Sequence, residues 1–319
     1  MIKTTSKWER WRRLDILLIA AAFLLVAPFL SIQRTTDFMI FCIFVLAYDL
    51  LYGYMGRLSF GHMLYLGTGA YGAAMCATYW SDNPLLALAA GALAGMAVGL
   101  LLGPIVMRTT GACFALINLS FNQMGFFLAL IAFSGWTGGE DGKSAFFAPL
   151  WGIDVNDRAV VFTLVLVSLL GTVLLMRRLT DSPFGLLLRT IKENEQRSVF
   201  LGYNVFAYKW IAFVISTTVA AFAGALSMIN YSYVTPSFID PGRSVEVVFA
   251  SLIGGAGSVY GALLGGVGFM AISNFLPNYI QRWELFLGLV LLALVFKFRE
   301  GLWGYAVRLA AARNKEENQ

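Results

Sequence analysis

The chain is poor in charge. Asp, Glu, Lys and Arg make up 13% of its 319 residues, about half the share found in a soluble globular domain. Hydrophobic residues reach 59% and the mean hydropathy is +0.72, so most of the surface is solvated by lipid. Histidine occurs once, as His62, and cysteine three times, as Cys42, Cys76 and Cys113, each inside an apolar run and without paired spacing. That excludes a disulfide framework or a thiolate and imidazole metal cluster, and leaves small packing residues. The chain has no G-x-x-x-x-G-K-[ST] loop, no H-E-x-x-H and no G-x-S-x-G. ATP binding by a Walker loop is therefore excluded, and enzymatic chemistry has no evident catalytic residues or cofactor-binding cluster. Alternating segments of about 10 residues, which a β-barrel needs, are also missing. The net charge of +5 is not a nucleic-acid signal, because Lys and Arg in a membrane chain set topology.

What is there is a succession of apolar runs long enough to cross a bilayer core of about 30 Å, which takes roughly 20 residues each. They predict an all-α polytopic membrane protein of about 8 to 10 transmembrane segments, one of them broken or re-entrant. Spans fall near 14–30, 38–55, 58–79, 85–107, 111–134, 159–176 and 210–231, then a broken segment at 244–276 and a last span near 284–299. The basic and then apolar N-terminus lacks a convincing A-x-A site and reads as a retained first helix. With that terminus cytoplasmic, 18 of the 23 Lys and Arg residues lie inside and five outside, as the positive-inside rule requires. The chain thus reads as one transmembrane domain, 1–319, with a cytoplasmic loop at 177–209 and short cytoplasmic N- and C-terminal tails.

The segment "SVEVVFASLIGGAGSVYGALLGGVGFMAISNFL" has about 11 apolar residues before its glycines, enough at 1.5 Å each for half the core. A half-helix turning at Gly254, Gly255 and Gly257 is expected, and irregular backbone at that depth must be enclosed by protein or line a cavity. Glycines recur every four residues at Gly91, Gly95, Gly99 and Gly103, and again at Gly257, Gly261 and Gly265, so each set lies on one helix face and admits a neighbouring backbone. "GRLSFGHMLYLGTGAYGAA" (56–74) reads the same way: Gly56 and Gly61 flank a turn at the cytoplasmic entrance of the third span, and Gly69 and Ala73 form a small face.

Polar residues inside apolar spans are candidates for a translocation path or for hydrogen bonds between helices. These are Asp49, His62, Asn118, Asn122 and Gln123. Asp49 should face the interior or water, the three amides crowd one side of the fifth span, and His62 suits a local hydrogen bond better than a proton relay. No metal site and no catalytic residue is expected. In the cytoplasmic loop, Ser182 as N-cap, Pro183 in the first turn and Gly202 as stop define one amphipathic helix of about 19 residues. Its apolar stripe is Phe184, Leu188, Ile191 and Val199; mixed charges around it favour docking on a partner over lying on lipid.

Five stretches in order, "GRLSFGHMLYLGTGAYGAA", "TGACFALINLSFNQM", "TGGEDG", "SPFGLLLRTIKENEQRSVFLGYNVFAYKW" and "LIGGAGSVYGALLGG", resemble the permeases of branched-chain amino acid ABC importers, specifically the LivM-like, M-type subunit. The resemblance covers about residues 38–305. It implies an ABC importer permease fold in a bacterial inner (cytoplasmic) membrane, crossed several times, with both termini cytoplasmic. It further implies a second, H-type permease subunit, two cytoplasmic ATPase subunits that carry ATP and Mg, and a periplasmic substrate-binding protein. No cofactor is expected on this chain. The loop helix becomes the ATPase-coupling segment, with Arg189, Lys192, Glu193, Asn194, Glu195 and Gly202 as its candidate contacts. Two departures stand out: the E-A-A-x-x-x-G pattern of importer loops is met only loosely, and Asp49 occupies a position where the family typically has Asn. Related permeases serve urea, short amides or aromatic acids, and an ion-coupled secondary transporter working through Asp49 and His62 is the reading from another class.

Overall fold

A computed structural model describes residues 5–149, 154–279, 282, 285, 286, 288, 289, 301–305 and 308, without the side chains of 5–15 and 278. The expected last span near 284–299 and the C-terminal tail lie largely outside the described residues. The main helices are α1 (Thr5–Leu30), α2 (Ile32–Asp49), α3 (His62–Tyr79), α4 (Pro84–Val106), α5 (Gly111–Phe127) and a short α6 (Ser134–Thr137). They continue as α7 (Arg158–Thr180), α8 (Pro183–Glu193), α9 (Glu195–Phe200), α10 (Val205–Tyr231), α11 (Ser244–Gly254) and α12 (Val259–Phe275). The strands β1 (Lys143–Ser144) and β2 (Tyr233–Val234) pair antiparallel, Lys143 opposite Val234. The chain is an all-α polytopic membrane protein.

Five stretches among the described residues are long and apolar enough to cross a membrane: Ile32–Tyr54, Pro84–Val106, Gly111–Ala132, Arg158–Thr180 and Val205–Tyr231. Ile16–Leu30 and Val259–Phe275 are shorter apolar helices. α3, the glycine-rich stretch, is not among the five; its 18 residues start at His62 rather than at 58. The second helix begins earlier than the expected 38. α2 starts at Ile32, one residue after α1, because Ser31 takes a left-handed turn (φ 86°) and caps α2.

α2 and α10 form the centre of the bundle, since 83% of the α2 span and 72% of the α10 span are buried against only 28–33% for α4 and α5. Around them α7 and α12 pack on α2, while α3 and α4 pack on α10. The glycine stripe explains the second contact. A Cβ added at Gly91, Gly95 or Gly99 would strike Ala225, Ala221 or Thr217 of α10 respectively, so the two helices meet in register at every turn. Gly69 of α3 is likewise pressed on the Ala221 carbonyl. α11 and α12 close on each other through Gly254, Gly261, Gly265 and Ala250. Small residues at these crossings let backbones approach where lipid offers no hydrophobic drive for association.

α2 and α10 run antiparallel. Near the start of α2, Asn230 of α10 donates to Asp37; near its end, Ser216 of α10 donates to the Ala47 carbonyl. One end of the bundle therefore carries Asp37, β1–β2 and the start of α11. The opposite end carries Asp49, the α11–α12 turn and the α8–α9 segment.

Candidate interior polar site and coupling segment

The last turns of α2 widen into a π-helical turn at Leu50–Tyr54. π-turns of this kind are rare and recur at functional places in helices. Asp49 sits just before it, only 2% exposed. Its Oδ1 accepts from the Gly257 amide at 2.9 Å and from the Ser251 hydroxyl at 3.3 Å. Gly257 stands at φ 92° in the turn between α11 and α12, and Gly255 at φ 103°, whereas Gly254 is the last residue of α11. The buried carboxylate thus satisfies a backbone N–H that the broken helix leaves over. A polar group buried this deeply is tolerated only with such hydrogen bonds. A side chain at Gly53 would collide with both the Asp49 carboxylate and the Gly257 amide, so the π-turn and the glycine turn fit only without one.

His62 meets other partners. Its Nε2 is 3.0 Å from the Ser216 hydroxyl, and its ring lies among Phe44, Tyr48 and Tyr65 at centroid distances of 5.3–5.9 Å. The hydroxyl of Ser216 in turn donates to Ala47 O at 2.5 Å. The imidazole therefore ties α3 to α10 and α2, and its Nδ1 is buried with no partner among the described residues.

The three amides of α5 separate. Asn118 and Asn122 are buried, with the Asn118 backbone against Gly61, the N-cap of α3, but Gln123 is exposed. The expectation of one crowded side fails for Gln123, because an adjacent residue is turned by about 100° on a helix. Asn118 Nδ2 donates to Phe114 O at 2.8 Å within its own helix. Among the described residues the Asn122 amide has no hydrogen-bond partner at either atom. Among the described residues no group of His, Cys, Asp and Glu could hold a metal ion.

The loop helix is two helices, not the single one expected. Ser182 caps α8 at Gly185 N (3.5 Å) and Pro183 opens it. The break falls at Asn194, in extended backbone (φ −156°, ψ 100°), whose Oδ1 caps α9 by accepting from Arg197 N at 2.9 Å. Asn side chains compete for backbone donors in this way and so favour caps over helix interiors. Gly202 ends the segment at φ 86°. The apolar stripe consequently stops at Ile191: Leu187, Leu188 and Ile191 are buried, while Val199 is 55% and Phe200 87% exposed.

Apart from Asn194, the cap of α9, the candidate coupling residues divide into two sets. Lys192 Nζ donates to Gly53 O at 2.7 Å, and the Arg189 guanidinium lies 4.9 Å over the Tyr54 ring. Glu195 pairs with Arg57 Nη2 at 2.7 Å and with Lys209 Nζ at 2.5 Å. These three bind their own bundle. Glu193 and Gly202 point to the outside, with Leu186, Phe200 and Leu201 as exposed apolar neighbours. Sequence reasoning missed Gly53, Ser251 and Lys209 as partners. Only Lys209 left a signal, a cation inside the apolar run "VFAYKWIAFVI".

A family model for the permease component of branched-chain amino acid transport systems matches residues 31–295. Among curated proteins, the chain is 27% identical to the high-affinity branched-chain amino acid transport system permease protein LivM of Salmonella typhimurium, over 88% of this chain and 72% of that protein. It is also 27% identical to LivM of Escherichia coli, over 88% and 73%. No solved structure gives a significant match. With the family model spanning most of its length, the chain belongs to the branched-chain amino acid transport system permeases.

Proposed function

We propose that this chain is a transmembrane subunit of an ATP-driven, binding-protein-dependent importer of branched-chain amino acids. In this reading 1–319 is one permease domain in a bacterial inner membrane, with both termini and the α8–α9 segment cytoplasmic. It pairs with an H-type permease; two ATPase subunits dock on the α8–α9 side, and a periplasmic binding protein delivers substrate opposite. The chain holds no cofactor and hydrolyses nothing; ATP and Mg act on the ATPases. The observation that carries the mechanism is the double tie of α8–α9 to the bundle. Lys192 grips the π-turn that follows Asp49, and Glu195 grips Arg57 and Lys209, while Val199 and Phe200 face outward. An ATPase that pulls on the exposed side moves a segment already fastened to α2 and α10. Transport then follows by alternating access, provided ATP binds one bundle state more tightly than the other. The substrate is supported by the family and by both curated relatives. The ion-coupled reading is weaker, because Asp49 and His62 are each engaged by structural partners rather than by one another.

The test is reconstitution of all the subunits in proteoliposomes with radiolabelled leucine. ATP-dependent accumulation that disappears when this chain is omitted is expected. Accumulation driven by an ion gradient without the ATPases would overturn the reading.

A further inference from the structure

At the end of the bundle opposite α8–α9, a cavity of about 360 Å³ opens between α2, α3, α10, α11 and α12. That volume lies within the roughly 300–1,000 Å³ of small-molecule sites. Its charged groups converge from two places, α2 and the start of α11. Asp37, in the first turns of α2, is held by a neutral donor, Asn230 Nδ2 at 2.7 Å. Arg243 and Glu246, at the start of α11, form a long pair at 3.5 Å in which both side chains stay partly exposed. The remaining wall is mainly apolar, with Ile40, Leu66, Phe238 and Met270, and carries the hydroxyl-bearing Ser227, Tyr231 and Tyr233.

The charges are unequal. Two carboxylates face one guanidinium, which leaves a surplus negative charge beside an apolar wall. An ammonium group supplies the missing cation, and a carboxylate on the same molecule can take the guanidinium that the 3.5 Å pair holds loosely. A plain anion meets two carboxylates, and a neutral amide offers them no charge to match. A molecule with both charges on one carbon and a compact aliphatic group matches the charged groups and the apolar part of the wall. We propose that this cavity binds a zwitterionic α-amino acid with a branched aliphatic side chain, its ammonium at Asp37 and Glu246 and its carboxylate at Arg243. This inference rests on the importer reading and adds to it a holding site on this subunit, at the end away from the ATPases.

The experiment places a reporter thiol in the wall, Met270→Cys in a Cys113→Ser background, in the assembled solubilised complex. L-leucine is expected to slow maleimide labelling at least about threefold, while isocaproate and isoamylamine, which each lack one charge, do not. Asp37→Asn and Arg243→Gln should each raise the half-protecting leucine concentration by about tenfold, the scale of one lost charged hydrogen bond, and Arg243→Lys should recover part of it. Labelling indifferent to leucine, or slowed equally by all three probes, overturns the site. Protection that both variants leave unmoved overturns the charge assignment and the proposal with it. Should a charge variant not assemble, the comparison of the three probes decides alone. ATP-driven leucine uptake is measured on the same preparations. Uptake without protection removes the site and leaves the importer, whereas protection without uptake removes the importer and leaves the site.

Discussion

Lys192 donates its ammonium to the carbonyl of Gly53 at 2.7 Å. The two residues are far apart in the chain, one in α8 and the other in the π-turn closing α2. That turn has no room for a side chain at Gly53, since Asp49 and Gly257 lie against it. A displacement of α8 is therefore delivered to the place where Asp49 of α2 is hydrogen-bonded to the broken α11–α12 segment. Contiguous packing of this kind is a physical means of coupling only if the turn has two arrangements, which the variants below examine.

Lys192→Met keeps the aliphatic stem and removes the donor. The tie should be lost at a cost of about 1–2 kcal/mol in stability, the scale of a partly exposed hydrogen bond from a charged group. In the reconstituted complex, ATP hydrolysis should persist while leucine uptake per ATP falls severalfold. Uptake and hydrolysis that fall in equal proportion would show instead that Lys192 serves assembly alone.

Glu195 is the shared partner of two cations, of which Lys209 is the more buried, 6% against 12% exposed for the Arg57 side chain. Glu195→Gln leaves Lys209 facing Arg57 with no intervening charge. Breaking a buried pair costs about 3–5 kcal/mol; Glu195 itself is 37% exposed, so solvent screening reduces this to about 1–3 kcal/mol. A lower unfolding temperature of the purified chain is expected. Adding Lys209→Met should restore most of the loss, and a double variant no more stable than Glu195→Gln would contradict the pairing.

The parts read most easily from the sequence were those set by solvent and by repetition. Long apolar runs mark α4, α7 and α10 to within a few residues, and the four-residue spacing of Gly91, Gly95 and Gly99 foretells the close crossing with α10. Local chemistry was legible in part. Ser182 and Gly202 behave as cap and stop, yet Asn194 was not seen as a break, because a cap in mid-helix looks like any polar residue on a solvated face. Long-range pairing left almost no trace. Neither Gly53 under Lys192 nor Gly257 under Asp49 follows from spacing, since both depend on where the α11–α12 turn returns to the bundle. The grouping of Asp37 with Arg243 and Glu246 is hidden for the same reason.

Gly95 of α4 has the Ala221 side chain and the Thr217 carbonyl of α10 directly against it. Gly95→Leu must push the helices apart, and neither backbone can yield without disturbing the contact of Gly69 with Ala221. Overpacking of this kind costs about 1–3 kcal/mol or more. The variant should be recovered in much lower yield from membranes, whereas Leu93→Ala, an exposed position on the same helix, should be recovered normally. Equal yields would remove the glycine stripe as the basis of the crossing.

Asp49→Asn separates charge from hydrogen bonding. Oδ1 accepts from both Gly257 N and Ser251 Oγ, and a carboxamide oxygen can do the same, giving up only the longer contact of Oδ2 with Gly257 N at 3.2 Å. The Asn variant should therefore fold and transport leucine within about threefold of the parent, and lose less stability than a substitution that removes the acceptor. Asp49→Leu is that substitution. It strands the Gly257 amide and the Ser251 hydroxyl in the interior at about 1–3 kcal/mol for each group left unsatisfied, and the turn should loosen. Hydrogen exchange at 254–258 reports this directly: protection is retained in Asp49→Asn and lost in Asp49→Leu. Were transport abolished in Asp49→Asn with that protection intact, the negative charge itself would be the working part, and the role of Asp49 as a docking post for the broken helix would be insufficient.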